Sequence, residues 1–191
     1  LGCIAAMHRG KFLDNLISVI STCGIAVPSF VICTVLMYFL GVHLKILPTY
    51  GLTSWKHYVM PVMALSFYPM AYIMRLMRSS MLDVLGQDYM RTCKAKGVSQ
   101  AVSIFKHALR NAILPVITYV GPMLAYTLTG SFVVEKIFTI PGLGGEFIGS
   151  ISSRDYTVIM GTTIFLATLL IVMNVIVDII YKIVDPRIKL N

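Results

Sequence analysis

The stretch Tyr156–Val177, YTVIMGTTIFLATLLIVMNVIV, contains no charged side chain. A helix needs about 20 apolar residues to cross the hydrocarbon core of a bilayer, so this stretch predicts a membrane-spanning helix. Three further charge-free stretches meet that length or approach it. We therefore predict an all-α fold, a polytopic transmembrane helical bundle in which one transmembrane domain covers 1–191. The four spans are expected at about 15–40, 57–77, 111–134 and 156–181.

The composition agrees with a membrane protein. Of the 191 residues, 57% are hydrophobic and 13% are charged, and the mean hydropathy is +0.82. Soluble domains have roughly 45–50% apolar and about 25% charged residues. These values exclude a disordered chain or a nucleic-acid-binding tail. The net charge of +8 does not call for a nucleic-acid partner, because Lys and Arg accumulate in the cytoplasmic loops of membrane proteins.

The distribution of Lys and Arg predicts the orientation of the chain. With the N-terminus inside, the inner segments hold 12 of these residues and the outer segments hold 4. Cytoplasmic loops are the ones enriched in positive charge. We therefore expect both ends of the chain to be cytoplasmic, in a multi-pass protein of a cell membrane.

The longest expected inner loop, about 78–110, has helical character of its own. Residues 89–95 and 100–109 are predicted to be helical, with Gly97 between them and Ser99 as the N-cap of the second helix. Val102, Phe105 and Leu109 recur at helical spacing in that second piece. The pattern is compatible with an amphipathic helix on the bilayer surface and equally with a docking element for a cytosolic partner.

Two sets of polar residues within the expected spans are candidates for function. The hydroxyl groups that cluster in the third span either form hydrogen bonds between closely packed helices or line a polar path for a solute. Asn174 and Asp178 lie four residues apart on one helix face, and we expect them to have a structural role at the inner interface. The candidate residues of the translocation path are Tyr126, Thr127, Thr129 and Ser131.

The sequence contains no recognisable arrangement for covalent catalysis or metal binding. The four histidines are scattered, and no nucleophile motif is present. The glycine-rich stretch Pro141–Glu146 lacks the Lys of a phosphate-binding loop and is expected to form a tight extracytoplasmic turn. We therefore predict that this chain is not an enzyme, has no catalytic residue, no metal site and no cofactor of its own, and does not hydrolyse ATP.

The inner loop also carries a family resemblance. The segments Asp88–Gly97 (DYMRTCKAKG) and Lys106–Pro115 (KHALRNAILP) resemble the cytoplasmic signature loop of bacterial ABC-transporter permeases, in particular those of the oligopeptide/dipeptide/nickel family. Further matches follow in the family's order over nearly the whole chain. They are Leu1–Asp14, Val27–Phe30, Thr129–Ser131, Ile137–Gly144, Arg154–Tyr156 and Asp185–Arg187.

The loop departs from the general permease motif at two points. Arg91 stands at the position of the first signature Glu, and Thr92 and Cys93 follow where the general motif has two alanines. Sixteen residues separate Gly97 from Leu114, which is longer than the general spacing. Both departures are similar to the peptide branch of the family and favour it over sugar or amino-acid permeases.

The resemblance implies a permease subunit of an ATP-driven importer in a bacterial inner membrane. The implied partners are a second permease subunit, two cytosolic ATP-binding subunits that hold the ATP, an extracytoplasmic solute-binding protein and membrane lipid, but no nucleic acid. The loop would couple this chain to an ATPase subunit. Its coupling residues would be Asp88, Tyr89, Arg91, Thr92, Lys94, Ala95, Lys96 and Gly97. The cations among them would contact acidic groups of the partner or lipid phosphates.

The substrate class follows from the same resemblance. Peptides are expected, with nickel or another small solute as the alternative, because the same branch serves both. An ion-coupled carrier or channel would instead show ionisable residues deep in several spans. The sequence begins with Leu1, and full-length family members have an additional N-terminal helix and an extracytoplasmic region. The chain is therefore expected to be part of a longer protein.

Overall fold

In the computed structural model, which describes residues 1–184, the chain forms ten helices and no strand within that range. The all-α expectation is confirmed. The motif Asp185–Arg187 lies outside the described residues. The helices are α1 Gly2–Met7, α2 Phe12–Ala26, α3 Ser29–His43, α4 Lys56–Leu85, α5 Asp88–Ala95, α6 Gln100–Ala112, α7 Leu114–Leu128, α8 Phe132–Phe138, α9 Leu143–Ser153 and α10 Tyr156–Val184.

Two of these helices, α4 and α10, are each long and apolar enough to cross a membrane. Two bent pairs reach the same length and composition. The chain bends by 100° between α2 and α3 and by 47° between α6 and α7. If each bent pair forms one span, the described residues provide up to four, which is the number that the sequence predicts.

The first expected span, 15–40, is broken rather than straight. Pro28 has no N–H to donate and disfavours helical geometry at Val27, so α2 ends at Ala26 and α3 begins at Ser29. The prolines of α4 have a different effect, since Pro61 and Pro69 lie inside one continuous helix.

The other helices also end at positions that differ from the expected span boundaries. Helix α4 continues past residue 77 to Leu85, so the expected loop 78–110 begins inside a helix. The third stretch, 111–134, is divided because Gly130 has a φ of +87° and Ser131 is extended. Helix α10 runs to Val184 rather than to 181. A charged residue marks where a chain leaves a bilayer, but it does not end the hydrogen-bond ladder of a helix.

The chain divides into two compact units. The first contains residues 1–23, 70–121 and those from 174 onward, and the second contains residues 24–69 and 122–173. Helices α2, α4, α7 and α10 contribute residues to both.

An apolar cluster and one ion pair hold the first unit together. The buried side chains of the cluster come from α1, α4, α5 and α6: Ala6, Met77, Met81, Met90, Ile104, Ala108 and Ala112. Gly2 lies so close to α4 that a Cβ there would be 2.5 Å from the carbonyl oxygen of Met74.

The ion pair joins Asp14 at the start of α2 to Arg78 of α4. Arg78 donates from Nε to Oδ1 of Asp14 at 2.5 Å and from Nη2 to Oδ2 at 2.9 Å. The backbone N–H of Gly10 donates to the same carboxylate at 2.9 Å. Only 2% of Asp14 is exposed. Both carboxylate oxygens are therefore bound, and the turn before α2 is fixed against α4.

The substitution Asp14→Asn is expected to destabilise the protein. The neutral amide would leave the Arg78 guanidinium without its counter-charge in a largely enclosed site, which is costly. We expect the Tm of the purified full-length protein in detergent to fall by several degrees. The control is Asp88→Asn, because Asp88 is 94% exposed in its pair with Arg91 and exposed pairs contribute little. Equal Tm values for the two variants would contradict this role of the Asp14–Arg78 pair.

In the second unit, a glycine-lined pocket encloses the carboxylate of Glu135. Only 8% of Glu135 is exposed, and the N–H of Gly145 donates to its Oε2 at 2.6 Å. Gly130 and Gly142 approach the carboxylate so closely that a Cβ at either position would collide with it. A buried carboxylate is costly unless it is hydrogen-bonded, and the glycines allow backbone to reach it. Glu135 thereby joins α8 to the first turn of α9.

Two glycines of α9 provide a test of this close packing. A Cβ at Gly144 would lie 2.7 Å from the backbone nitrogen of Phe132, whereas one at Gly149 would meet nothing within 4 Å. Gly144→Ala is expected to lower the Tm by several degrees. Gly149→Ala is expected to leave it unchanged or raise it, since Ala is favoured over Gly in a helix by about 1 kcal/mol. A Gly144→Ala variant as stable as Gly149→Ala would contradict the close approach of α9 to α8.

Candidate functional site

Helix α5 begins and ends with well-defined local geometry. Gln87 is extended before its first turn, and Gly97 has a φ of +73° after its last. The N–H of Val98 donates to the carbonyl of Cys93 at 3.1 Å, and the N–H of Gly97 donates to that of Lys94 at 3.0 Å. This is the Schellman arrangement, which requires a left-handed residue and is most often completed by Gly.

Helix α6 begins shortly after this turn. Ser99 is extended and lies at the predicted N-cap position, but its side chain makes no capping hydrogen bond. The helix then widens to π geometry over Ser103–Ala108. Ile104 and Ala108 are buried in the same cluster as Met90 of α5, so α5 and α6 pack through apolar side chains. The expected sequence of helix, Gly97 and helix is present.

Two hydrogen bonds attach this part of the chain to its surroundings in the first unit. Asn111 donates from Nδ2 to the hydroxyl of Tyr89 at 2.8 Å, which joins the end of α6 to the start of α5. Arg110 donates from Nε to the carbonyl of Val184 at 2.6 Å, which joins α6 to the last turn of α10. The α5–α6 segment, residues 88–112, is therefore held at both ends.

The eight predicted coupling residues do not share one surface. Met90 points into the core and Tyr89 contacts Asn111. Arg91 and Lys94 lie on the side of α5 that borders a cavity. The remaining side chains recur at helical spacing on the adjacent exposed side, where Oδ1 of Asp88 lies 3.5 Å from Nη1 of Arg91. This outer face of α5 consists of Asp88, Thr92, Ala95 and Lys96.

The predicted path residues lie in the second unit, around the end of α7. The hydroxyl of Thr127 donates to the carbonyl of Met123 at 2.8 Å, and that of Thr129 donates to the carbonyl of Tyr126, also at 2.8 Å. Tyr126 is 58% exposed. Thr129 lines an apolar cavity of about 360 Å³, but Tyr126, Thr127 and Ser131 do not. That these four residues line a translocation path stays a prediction.

Asn174 and Asp178 are both exposed on one face of α10, and Val177 between them is buried. Within residues 1–184 neither makes a side-chain hydrogen bond or an ion pair. Their structural role at the inner interface stays a prediction.

Sequence reasoning missed Glu135. It treated the glycine-rich turn as a tight connection alone, although the structure places the carboxylate of Glu135 among those glycines. The available signal was one acidic residue in an apolar segment, followed closely by several glycines. Among residues 1–184, no three His, Cys, Asp or Glu side chains are grouped so that they could hold a metal ion.

Comparisons with known proteins match the whole chain. The chain is 53% identical over 191 residues to the dipeptide transport system permease protein of Bacillus subtilis, covering 100% of this chain and 62% of the relative. It is 44% identical to the dipeptide transport system permease protein of Lactococcus lactis, and the match covers 100% of this chain and 63% of the relative. It is 41% identical to the glutathione transport system permease protein of Escherichia coli, and the match covers 98% of this chain and 61% of the relative.

The chain thus spans about three fifths of the length of these curated relatives. A family model for the inner membrane component of binding-protein-dependent transport systems matches residues 1–190. Together with the apolar helices, this match supports a multi-pass inner membrane protein and confirms the resemblance. The chain belongs to the family of inner membrane components of binding-protein-dependent transport systems.

Proposed function

We propose that this chain is the membrane part of a permease subunit in an ATP-driven importer of peptides. The proposed partners are a second permease subunit, two cytosolic ATP-binding subunits and an extracytoplasmic solute-binding protein. Family membership supports this assembly. The functions named for the relatives, dipeptide and glutathione transport, favour peptides over nickel as the substrate. ATP binds to the partner subunits, and this chain performs no covalent chemistry.

The observation that supports coupling most directly is the outer face of α5. Asp88, Thr92 and Lys96 are exposed on a short helix whose other side is anchored by Met90 and Tyr89. A helix docked in a groove of an ATPase subunit transmits a rigid-body motion without unfolding. The hydrogen bonds of Tyr89 and Arg110 provide the connections through which that motion reaches α6 and α10.

The proposed orientation places the α5–α6 segment and both ends of the chain in the cytoplasm. The excess of Lys and Arg in the inner segments supports it, since such residues are enriched on the cytoplasmic side. This orientation gives the ATP-binding subunits direct access to the outer face of α5.

Gly97→Ala tests the docking role. Ala in the left-handed region costs about 1–2 kcal/mol, and the space around Gly97 is open, so backbone strain is the only local change. In the full-length protein co-expressed with its partners, we expect retention of the ATP-binding subunit in a pull-down to fall roughly fivefold to thirtyfold.

Gly10→Ala is the matched control. Gly10 has a φ of +75°, against +73° at Gly97, and its surroundings are equally open, so the strain is the same but the site differs. We expect Gly10→Ala to retain the ATP-binding subunit as the unchanged protein does. Full retention by Gly97→Ala, or equal losses in the two variants, would contradict docking through α5.

A further inference from the structure

The second unit contains a cationic cavity in the segment that joins α3 to α4. Its volume is about 610 Å³, which falls within the range of about 300–1,000 Å³ that is typical of small-ligand sites. The polar and charged side chains on its wall are Lys45, Thr49, Tyr50, Ser54, Lys56 and His57. Within residues 1–184 no acidic side chain contributes to this wall, so the cavity is suited to a negatively charged group.

The two lysines of the wall have no counter-charge in their part of the chain. The sequence contains no Asp or Glu between Asp14 and Asp83, and neither lysine forms an ion pair within residues 1–184. In the proposed orientation this segment is extracytoplasmic, and Lys and Arg are enriched on the other side of the membrane. The rule that explains the basic inner loop therefore does not explain Lys45 and Lys56.

Lys45 stands at a position where the backbone favours glycine. Its φ is +53°, and it follows closely on the end of α3 at His43, where a left-handed residue is most often Gly. Gly would adopt this conformation without strain, whereas Lys brings a positive charge to the wall. Strained residues of this kind cluster at ligand-binding positions, which agrees with a role for the charge.

His57 adds a hydrogen-bond donor to the same wall. The backbone N–H of Ser54 donates to Nδ1 of His57 at 3.2 Å, so the neutral ring carries its proton on Nε2. Nε2 lies beside Gly51, where an added Cβ would be 3.2 Å away, and it has no hydrogen-bond partner within residues 1–184. Two ammonium groups and one ring N–H together suit the two oxygens of a carboxylate.

We propose that this cavity binds the C-terminal carboxylate of the transported peptide on the extracytoplasmic side. The inference rests on the proposed function, which supplies the peptide and the orientation. A peptide is favoured over an isolated anion because the hydroxyl groups of Thr49, Tyr50 and Ser54 share the wall, and such groups orient a ligand by pairing with its polar atoms. A cavity that recognises the chain terminus rather than a side chain would accept peptides of varied sequence.

The test measures equilibrium binding of radiolabelled alanylalanine to the full-length permease, purified with its second permease subunit and without the solute-binding protein. The cavity variant, Lys45→Gln combined with Lys56→Gln, is expected to bind roughly threefold to thirtyfold more weakly, as for the loss of two exposed charge pairs. Alanylalanine amide, which has no carboxylate, should bind the unchanged permease more weakly by a similar factor. The cavity variant should no longer distinguish the two probes.

Lys136→Gln combined with Arg154→Gln is the matched control. It removes two positive charges that are also extracytoplasmic in the proposed orientation but do not line the cavity. This control should bind alanylalanine as the unchanged permease does. Equal losses in the two double variants would reduce the effect to overall charge and overturn the proposal. The proposal would also be overturned by undiminished binding to the cavity variant, by equal binding of the amide, or by no binding of alanylalanine to the unchanged permease.

A second measurement separates a peptide carboxylate from an acidic side chain of the solute-binding protein. A cavity variant that binds alanylalanine normally but no longer retains the solute-binding protein would assign Lys45 and Lys56 to a protein interface and overturn the proposal.

The proposed function is tested separately, by ATP-dependent uptake into liposomes that contain the complete unchanged importer. Absence of uptake, with carboxylate-dependent binding intact, would count against the proposed function and not against the cavity. Uptake by the unchanged importer, with undiminished binding to the cavity variant, would count against the cavity and not against the proposed function.

Discussion

The ion pair between Asp14 and Arg78 is the contact on which the first unit depends. It links residues 64 positions apart in the chain, and the same carboxylate binds the N–H of Gly10 in the turn after α1. The pair therefore fixes where α1 leaves the surface of α4. Because Ala6 of α1 packs in one cluster with Met90 of α5, this turn also determines one wall of the cavity beside α5. A polar contact at the start of α2 thus shapes the surface next to the candidate docking helix.

Local signals in the sequence predicted the all-α fold with long apolar helices and the geometry of the α5–α6 segment. Charge-free length is a property of consecutive residues, and so is the requirement for a left-handed residue that Gly97 satisfies. The helix ends were predicted less well, because they depend on where the backbone hydrogen bonds stop. Arg78 is charged, yet α4 continues past it to Leu85. The charge of Arg78 is satisfied inside the protein by Asp14, so it marks no boundary of the helix.

The interior contacts could not be predicted, because they join distant segments. Sequence reasoning grouped Arg91, Lys94 and Lys96 as one basic set, since nothing local separates them. The structure places Arg91 and Lys94 beside a cavity and Lys96 just past the last residue of α5, because the burial of Met90 fixes the rotation of this helix. Glu135 is a similar case. Its carboxylate is surrounded by glycines up to ten residues away, and only their folded arrangement reveals that a turn and a buried acid form one structure.

The separation of the cations on α5 has a mechanical consequence. A helix that passes a force between an ATPase and a set of membrane helices needs support on the side away from the partner. Apolar packing of Met90 and the hydrogen bond of Tyr89 support part of that side, but the side next to Arg91 and Lys94 opens onto a cavity. A force on α5 would therefore reach the helices behind it mainly through the contacts of Met90 and Tyr89.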